Sequence, residues 1–132
     1  MTRRVWLSER ETAAIHSEQI VEHGGNPGTR TPDSLARTIT RLVQRHTHAR
    51  LSLFHLSAAY ALGIARGRPF AGGNLTTALV VSFTFLELNG WRVVAEEEDA
   101  AVQFRQLASG AMNENLFAAW LRHNCVRLSV GR

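Results

Sequence analysis

The sequence contains no lysine, a single cysteine and no long uninterrupted apolar run. Because all 15 basic residues are arginine, no side chain is available for a lysine Schiff base or for the lysine of a P-loop. One cysteine, Cys125, cannot form an internal disulfide, which is typical of a reducing compartment. No run of about 18 apolar residues predicts a membrane span, and the polar start is unlike a secretory signal. We therefore predict a cytoplasmic protein.

Length, composition and charge predict one globular domain over residues 1–132. A chain of 132 residues with 45% hydrophobic residues can build one sizeable core, and a second core would be too small. The formal net charge is +4, but the arginines are spread along the sequence rather than grouped. Nucleic-acid binding needs basic residues clustered on one face, so we predict no nucleic-acid partner.

Capping signals predict helices in the first half of the chain. Ser8 followed by Glu11 is a capping box, which predicts a helix reaching about His23, where two glycines end it. A second helix is predicted to start near Asp33, because apolar residues then recur every three or four positions. The polar stretch 44–50 is predicted to be a connector.

The second half of the chain predicts four more helices and one short extended stretch. The predicted helices cover about 52–66, 75–88 and 97–109, and a last one is capped by Asn113. Residues 91–94 are predicted to be extended. Because 75–88 is apolar nearly all round, it is predicted to be the buried centre of a bundle. The predicted fold class is therefore all-α, a single-domain helical bundle around one buried central helix.

The segment RGRPFAGGNLTTA, residues 66–78, places a glycine-rich loop directly before that central helix. Backbone N–H groups at a helix start lack partners and carry partial positive charge, so such a loop is suited to anions. Two arginines flank it, and the alternative interpretation is that both are simply solvated. The predicted anion- or nucleotide-binding residues are Arg66, Arg68, Gly72, Gly73, Asn74 and Thr76.

Three stretches of the sequence resemble the Fic/Doc family, and within it the Doc (death-on-curing) branch. They are VWLSERETAAIHSEQIVEHGGNPGTR at the start, HLSAAYALGIARGRPFAGGNLTTALVVSFTFLELNGWRV in the middle and LASGAMNENLFAAWLR near the end. The resemblance implies a Fic/Doc-type helical bundle and a toxin of a bacterial or phage toxin–antitoxin pair. Such toxins transfer a phosphate or nucleotidyl group from a nucleotide to a protein hydroxyl, for example on a translation factor. A small antitoxin neutralises them by laying a helical segment against the toxin.

The signature loop of that family reads His-Pro-Phe-x-Asp/Glu-Gly-Asn-Lys/Gly-Arg-Thr-Ala. In the family the His is the general base, the acidic residue holds Mg²⁺ on the nucleotide, and the Lys or Arg neutralises phosphate charge. The positions that match it here are Pro69, Phe70, Gly73, Asn74, Thr77 and Ala78. The base, the acid, the Lys and the Arg are replaced by Arg68, Gly72, Leu75 and Thr76.

These four replacements remove the base, the metal ligand and the phosphate-binding cations, whereas the residues that shape the loop are kept. A guanidinium has a pKa above about 12 and stays protonated, so Arg68 cannot accept a proton. Glycine at 72 offers no oxygen to a metal, and no metal ligand and no catalytic residue are assigned. We predict that restoring all four side chains would leave the fold intact.

Three hypotheses for function remain open at this point. The first is a catalytically impaired pseudoenzyme that binds an antitoxin-like peptide or protein, or a Doc target, and needs no cofactor. The second is an active transferase with a rebuilt site that uses a nucleotide with Mg²⁺, in which Arg66, Arg68 and Asn74 bind phosphate. His55 or a partner would then supply the base. The third is a structural dimer without a small ligand.

The remaining candidate residues are given structural roles. His46 and His48 have a spacing seen in metal sites, but no third ligand is near, so they are assigned to the connector. His16 lies on the first helix without an acidic partner and is assigned no chemistry. Arg30 is predicted to tie the Gly24-Gly25 turn to the first helix.

Overall fold

The computed structural model describes residues 4–129, without the side chains of residues 48 and 49. This part of the chain forms six helices and two short strands, which confirms the predicted all-α class. Within it, no helix is both long and apolar enough to cross a membrane. In chain order the elements are α1 (Glu9–His23), α2 (Ser34–Ala49), α3 (Leu53–Ala65), α4 (Asn74–Leu88), β1 (Trp91–Val93), α5 (Glu97–Ser109), α6 (Glu114–His123) and β2 (Cys125–Arg127).

Helices α3 and α4 lie together at the centre of the fold. Both bury large apolar side chains completely, among them Leu56 and Ile64 on α3 and Phe85 on α4. A hydrogen bond of 2.8 Å also joins the two helices, from the Ser57 hydroxyl to the Ser82 carbonyl. Helix α4 is the central helix that its apolar sequence predicts, and α3 shares the centre with it because its small residues allow close approach.

A capping box shapes the start of α1, and hydrogen bonds to Tyr60 hold the residue before it, Leu7, against the core. Ser8 and Glu11 form the predicted capping box, and the hydrogen bonds from Ser8, first from its backbone, lower the pKa of the Glu11 carboxyl. The Tyr60 hydroxyl, in the core, donates to the Leu7 carbonyl at 2.9 Å and accepts from the Leu7 amide at 3.0 Å. Burial therefore raises the pKa of Tyr60 to about 12 despite the bond to Leu7.

The prediction of a connector at residues 44–50 is wrong, because α2 continues to Ala49. The stretch contains neither glycine nor proline, and Gln, Arg and Ala have high helix propensities, so polarity alone does not end the helix. Arg50 ends it instead in a left-handed conformation, with φ of 51°. In addition, Arg45 makes a bidentate ion pair with Glu114 on α6, at 2.7 and 2.8 Å, which holds the end of α2 in place.

The predicted extended stretch after α4 is confirmed as β1, and its partner strand is a feature that the sequence did not indicate. β2 pairs with β1 in antiparallel register, with Trp91 opposite Arg127 and Val93 opposite Cys125. Cys125 is half-buried in this pair, and burial raises the pKa of its thiol to about 11. The small sheet holds the chain after α6 against the end of α4.

Candidate anion-binding loop

The loop between α3 and α4 is held on one side by the segment that precedes α2. The Pro69 carbonyl accepts two hydrogen bonds, from the Arg30 amide at 2.7 Å and from the Ser34 hydroxyl at 2.6 Å. The Ala71 amide donates to the Gly28 carbonyl at 3.0 Å. The Arg30 guanidinium also donates to the Gly67 carbonyl at 3.2 Å. Arg30 therefore ties its turn to this loop rather than to α1, which corrects the sequence prediction.

Asn74, the first residue of α4, uses its side chain to close the loop. Its Oδ1 accepts from the Phe70 amide at 3.1 Å and its Nδ2 donates to the Phe70 carbonyl at 3.0 Å. The side chain is buried, and both ends of its amide are engaged. Only the backbone N–H of Asn74 thus remains for the predicted anion site, because its side chain is bonded to the backbone of the buried Phe70.

His16, to which the sequence assigned no chemistry, supports the same loop from α1. Its ring stacks on Phe70 with centroids 3.8 Å apart and planes within 4°. Its Nε2 lies 2.8 Å from the Gly72 carbonyl oxygen. Because a carbonyl only accepts, Nε2 must carry the hydrogen. The sequence carried no clear signal for this role, because the burial of Thr12, His16 and Gln19 on one face of α1 is visible only in the structure.

The start of α4 keeps the geometry of an anion cradle. Gly73 caps the helix with φ of 69°, a conformation that favours glycine, and a Cβ there would lie 3.0 Å from the Ile20 side chain. Among the described residues, no acceptor is bonded to the amides of residues 74–76, as expected for the first turn of a helix. The Thr76 hydroxyl donates to the Gly73 carbonyl at 3.3 Å, on the exposed side of this turn.

The two arginines that flank the loop are placed differently. Arg68 is exposed, has a left-handed φ of 50°, and makes no hydrogen bond or ion pair through its guanidinium within residues 4–129. Arg66 turns toward the end of α5, where its Nη2 donates to the carbonyls of Leu107 at 2.8 Å and Met112 at 3.4 Å. Of these two arginines, Arg68 is the one whose guanidinium has no partner within residues 4–129. An anion-binding role for either arginine stays a prediction.

Gly72, at the position of the family's metal-binding acid, lies against a neighbouring turn. A Cβ on Gly72 would lie 2.9 Å from the backbone nitrogen of Asn26 and 3.4 Å from its carbonyl oxygen. The described residues contain no group of three or more His, Cys, Asp or Glu side chains placed to hold a metal. Because glycine has no side-chain oxygen, this position does not fit the magnesium ion of the family type. A side chain at position 72 requires the Asn26 backbone to shift locally, and the expectation that the four restored side chains leave the fold intact stays a prediction.

Two of the other histidines, His55 and His46, have their contacts outside the loop. His55 is at the opposite end of α3, roughly 16 Å of helix before Arg66, and its Nδ1 is 2.9 Å from the Ser52 hydroxyl. His46 packs edge-on against Trp6, with ring centroids 5.2 Å apart. The side chain of His48 lies outside the described residues. The base that the rebuilt-site hypothesis assigned to His55 is therefore not brought to this loop.

Comparison with known proteins gives the family of the chain. No family model matches the chain. It is 34% identical over 93 residues to the protein kinase doc of Escherichia phage P1, and the matched part covers 70% of this chain and 74% of that protein. Similarity of this extent, together with a helical bundle in which a Pro-Phe-x-x-Gly-Asn loop opens the central helix, shows common descent. The chain belongs to the Doc family.

Proposed function

We propose that this Doc-family protein is a catalytically impaired member of a toxin–antitoxin system that acts by binding another protein. The observation that carries the proposal is the loop itself, whose shape is held by hydrogen bonds of Asn74 and His16 while Arg68 and Gly72 stand at the base and metal positions. A loop of this kind keeps its shape without the groups that the family reaction uses. We place the protein in the cytoplasm, where an antitoxin and a translation factor are both accessible.

The absence of a usable base is the main argument for impairment. Loss of a general base lowers a rate by about 10²–10⁴-fold, and the guanidinium of Arg68 has donors but no acceptor for a proton. His16 on α1 contacts the loop, yet its Nε2–H is donated to the Gly72 carbonyl and its ring is stacked on Phe70. It is 3% exposed, so no substrate hydroxyl reaches it. Helix α3 separates His55 from the loop.

The second argument concerns the nucleotide phosphates. Gly72 supplies no oxygen for Mg²⁺, and Leu75 and Thr76 supply no positive charge where the family has Lys and Arg. What remains is the start of α4, whose first amides are open. Those amides support weak, metal-independent anion binding. The alternative function is an active phospho- or nucleotidyltransferase with a rebuilt site. It would also require a base, a metal ligand and a cation for the phosphates.

The proposal is tested by incubating the purified chain with a translation factor, Mg²⁺ and ATP that carries a labelled phosphate. We expect no label on the translation factor, whereas the doc protein kinase of phage P1 in parallel is the positive control. Transfer of labelled phosphate or nucleotide by the intact chain would refute the proposal and support the alternative.

Nucleotide binding is measured separately by calorimetry with and without Mg²⁺. We expect weak binding that is the same in both conditions and that decreases in the Arg68→Ala variant, because Arg68 has the guanidinium left free beside the cradle. Tight binding that depends on Mg²⁺ would contradict the impaired site. The matched control is Arg10→Ala, an exposed arginine on α1.

A further inference from the structure

A cavity between α2 and α3 brings five arginines together. Its volume is about 630 Å³, a size at which proteins hold small molecules. Helix α2 contributes three of the arginines at every fourth position, so these three lie on one helix face. Among the described residues that line the cavity, none is acidic. The five arginines are Arg30, Arg37, Arg41, Arg45 and Arg66.

This arginine cavity is separate from the anion cradle at the start of α4. Its lining reaches the loop only as far as Arg66 and Gly67, and none of residues 68–76 takes part in it. The two helices approach each other closely inside the cavity, where a Cβ on Gly63 would lie 2.8 Å from the Thr38 side chain. A ligand in the cavity would therefore leave the first amides of α4 open.

Most of the positive charge of the cavity is not neutralised by the protein. Arg37 pairs with Asp33 at 2.9 Å and Arg45 pairs with Glu114 at 2.7 Å. The other lining arginines include two that are bonded to backbone carbonyls, which orient a guanidinium without cancelling its charge. Five arginines less two paired carboxylates leave three positive charges, out of +4 for the whole chain.

Arg41 is the arginine of the cavity that is most open to a ligand. It is exposed, lies between Arg37 and Arg45 on one face of α2, and makes no ion pair or hydrogen bond within residues 4–129. Like charges at this spacing destabilise a helix. An anion bound among them would remove that repulsion, so the cavity is electrostatically complementary to an anionic ligand.

The side-chain chemistry of the lining indicates phosphate groups. A guanidinium presents a planar fork of N–H donors that binds phosphate oxygens in pairs. One phosphate group carries about −1.5 to −2 charges at neutral pH, so two such groups match the three unneutralised arginines. The arginines of α2 follow one another at about 6 Å along the helix axis, which gives room for two phosphates side by side.

The rest of the lining favours a small molecule. Leu42 and Ala59 are only 3% and 8% exposed, so they leave little apolar surface for a ligand to cover. Single-stranded nucleic acids are held by aromatic side chains that stack on the bases, and none of the described lining residues is aromatic. Recognition in this cavity therefore depends on charge and on hydrogen bonds from arginine.

We propose that the arginine cavity binds a small molecule that carries two phosphate groups. Arg41 supplies the free guanidinium, and the other four arginines surround the second phosphate. The inference goes beyond the proposed function, because it concerns neither the loop nor a protein partner.

The test is calorimetry of the full chain with inorganic pyrophosphate, in the presence of EDTA so that no metal takes part. Orthophosphate is the matched ligand with one phosphate group. We expect one pyrophosphate per chain, bound at least about tenfold more tightly than orthophosphate, because the second group adds charge-assisted hydrogen bonds. The affinity should fall as salt concentration rises.

The decisive comparison is between Arg41→Gln and Arg105→Gln. Both arginines are exposed, lie on helices and make no ion pair within residues 4–129, and both substitutions change the net charge equally. Arg105 does not line the cavity. We expect Arg41→Gln to weaken pyrophosphate binding by about tenfold or more and Arg105→Gln to change it little. Arg68→Ala, at the cradle, should leave pyrophosphate binding in the cavity.

A conservative variant separates the charge of Arg41 from its fork of donors. Arg41→Lys keeps the charge but cannot bind two oxygens of one phosphate in the same plane, so its loss should lie between those of the wild type and Arg41→Gln. Circular dichroism checks the folding of each variant, and Arg41→Lys is the deciding variant if Arg41→Gln does not fold.

A second ligand distinguishes the two possible sources of the phosphates. Fructose bisphosphate carries its two phosphates at opposite ends of a sugar, and fructose monophosphate is its control. Tighter binding of fructose bisphosphate than of pyrophosphate supports the site and assigns a sugar bisphosphate type of ligand. Tighter binding of pyrophosphate supports the site and assigns a diphosphate.

Four outcomes would overturn the inference. These are equal effects of Arg41→Gln and Arg105→Gln, orthophosphate binding as tight as that of pyrophosphate, loss of pyrophosphate binding in Arg68→Ala but not in Arg41→Gln, and tighter binding of a single-stranded RNA that Arg41→Gln abolishes. The labelled-phosphate assay depends on none of them, so failure of the cavity and failure of the impaired-site proposal are distinguished by separate measurements.

Discussion

Replacing His16 tests whether a side chain on α1 holds the loop in its shape. In His16→Ala the bond to the Gly72 carbonyl and the stack on Phe70 are both lost. The hydrogen bond contributes about 1–2 kcal/mol and the stack about 0.5–1.5 kcal/mol. Allowing for some cavity at this buried site, we expect a loss of about 2–4 kcal/mol in the free energy of unfolding.

The variant His16→Phe separates the two contributions. A phenylalanine ring keeps the stack on Phe70 but has no N–H for the Gly72 carbonyl, so we expect it to lose only about 1–2 kcal/mol. His23→Ala is the matched control, because His23 is exposed at the end of the same helix, and it should change the free energy of unfolding by less than about 0.5 kcal/mol. Urea denaturation followed by circular dichroism measures all three.

A local measurement distinguishes support of the loop from general stability. Hydrogen exchange reports on the amides of Arg30 and Ala71, whose acceptors are the carbonyls of Pro69 and Gly28. Relative to the wild type, His16→Ala should accelerate the exchange of these two amides more than the exchange of the amides of α6, which lies on other parts of the core. Equal acceleration of both regions, or a His16→Ala variant as stable as His23→Ala, would refute the reasoning.

Three further residues, Tyr60, Gly72 and Cys125, are each the subject of a prediction. Tyr60→Phe leaves the amide and carbonyl of Leu7 without their partner and should lower the free energy of unfolding by about 1–3 kcal/mol. Because the folded pKa of Tyr60 is raised to about 12, the wild type should lose stability as pH rises from about 10 to that value, and Tyr60→Phe should lose less over the same range. Gly72→Asp places a Cβ 2.9 Å from the Asn26 nitrogen and should destabilise the fold by about 1–3 kcal/mol. Cys125, whose pKa is raised to about 11, should react slowly with iodoacetamide at neutral pH and faster as pH approaches that value.

Each of these predictions has a matched comparison. Urea titration at neutral and alkaline pH serves Tyr60→Phe, and an unchanged slope with pH would contradict the burial of the phenol. Gly72→Asp is compared by thermal unfolding with Ala71→Asp, an exposed neighbour, and equal stability of the two would show that the Asn26 turn yields freely. Cys125 in the folded chain is compared with the urea-unfolded chain, and equal alkylation rates would mean that the thiol is accessible.

Local sequence signals determined most of the helices. The capping box at Ser8 and the N-cap at Asn113 both satisfy amides within their own helix, and the structure confirms both. The apolar stretch 75–88 predicted α4 as the central helix, and Val81, Phe85 and Leu86 are fully buried, although Leu88 at its end is 47% exposed. Local signals gave a wrong prediction at 44–50, which is part of α2 and not a connector. There the ion pair between Arg45 and Glu114 joins residues far apart in sequence.

Only the tertiary structure decided the surroundings of the loop and the location of charge. The sequence by itself determined that Arg68 and Gly72 replace a base and a metal ligand, because side-chain chemistry needs no coordinates. It did not reveal that His16 lies under the loop or that Asn26 closes on Gly72, since both contacts join segments about 50 residues apart. The position of the arginines is of the same kind, since Arg30 and Arg66 line one cavity together with Arg37, Arg41 and Arg45 of α2. Charges count equally in a sequence wherever they stand, but their field depends on distances that packing alone sets.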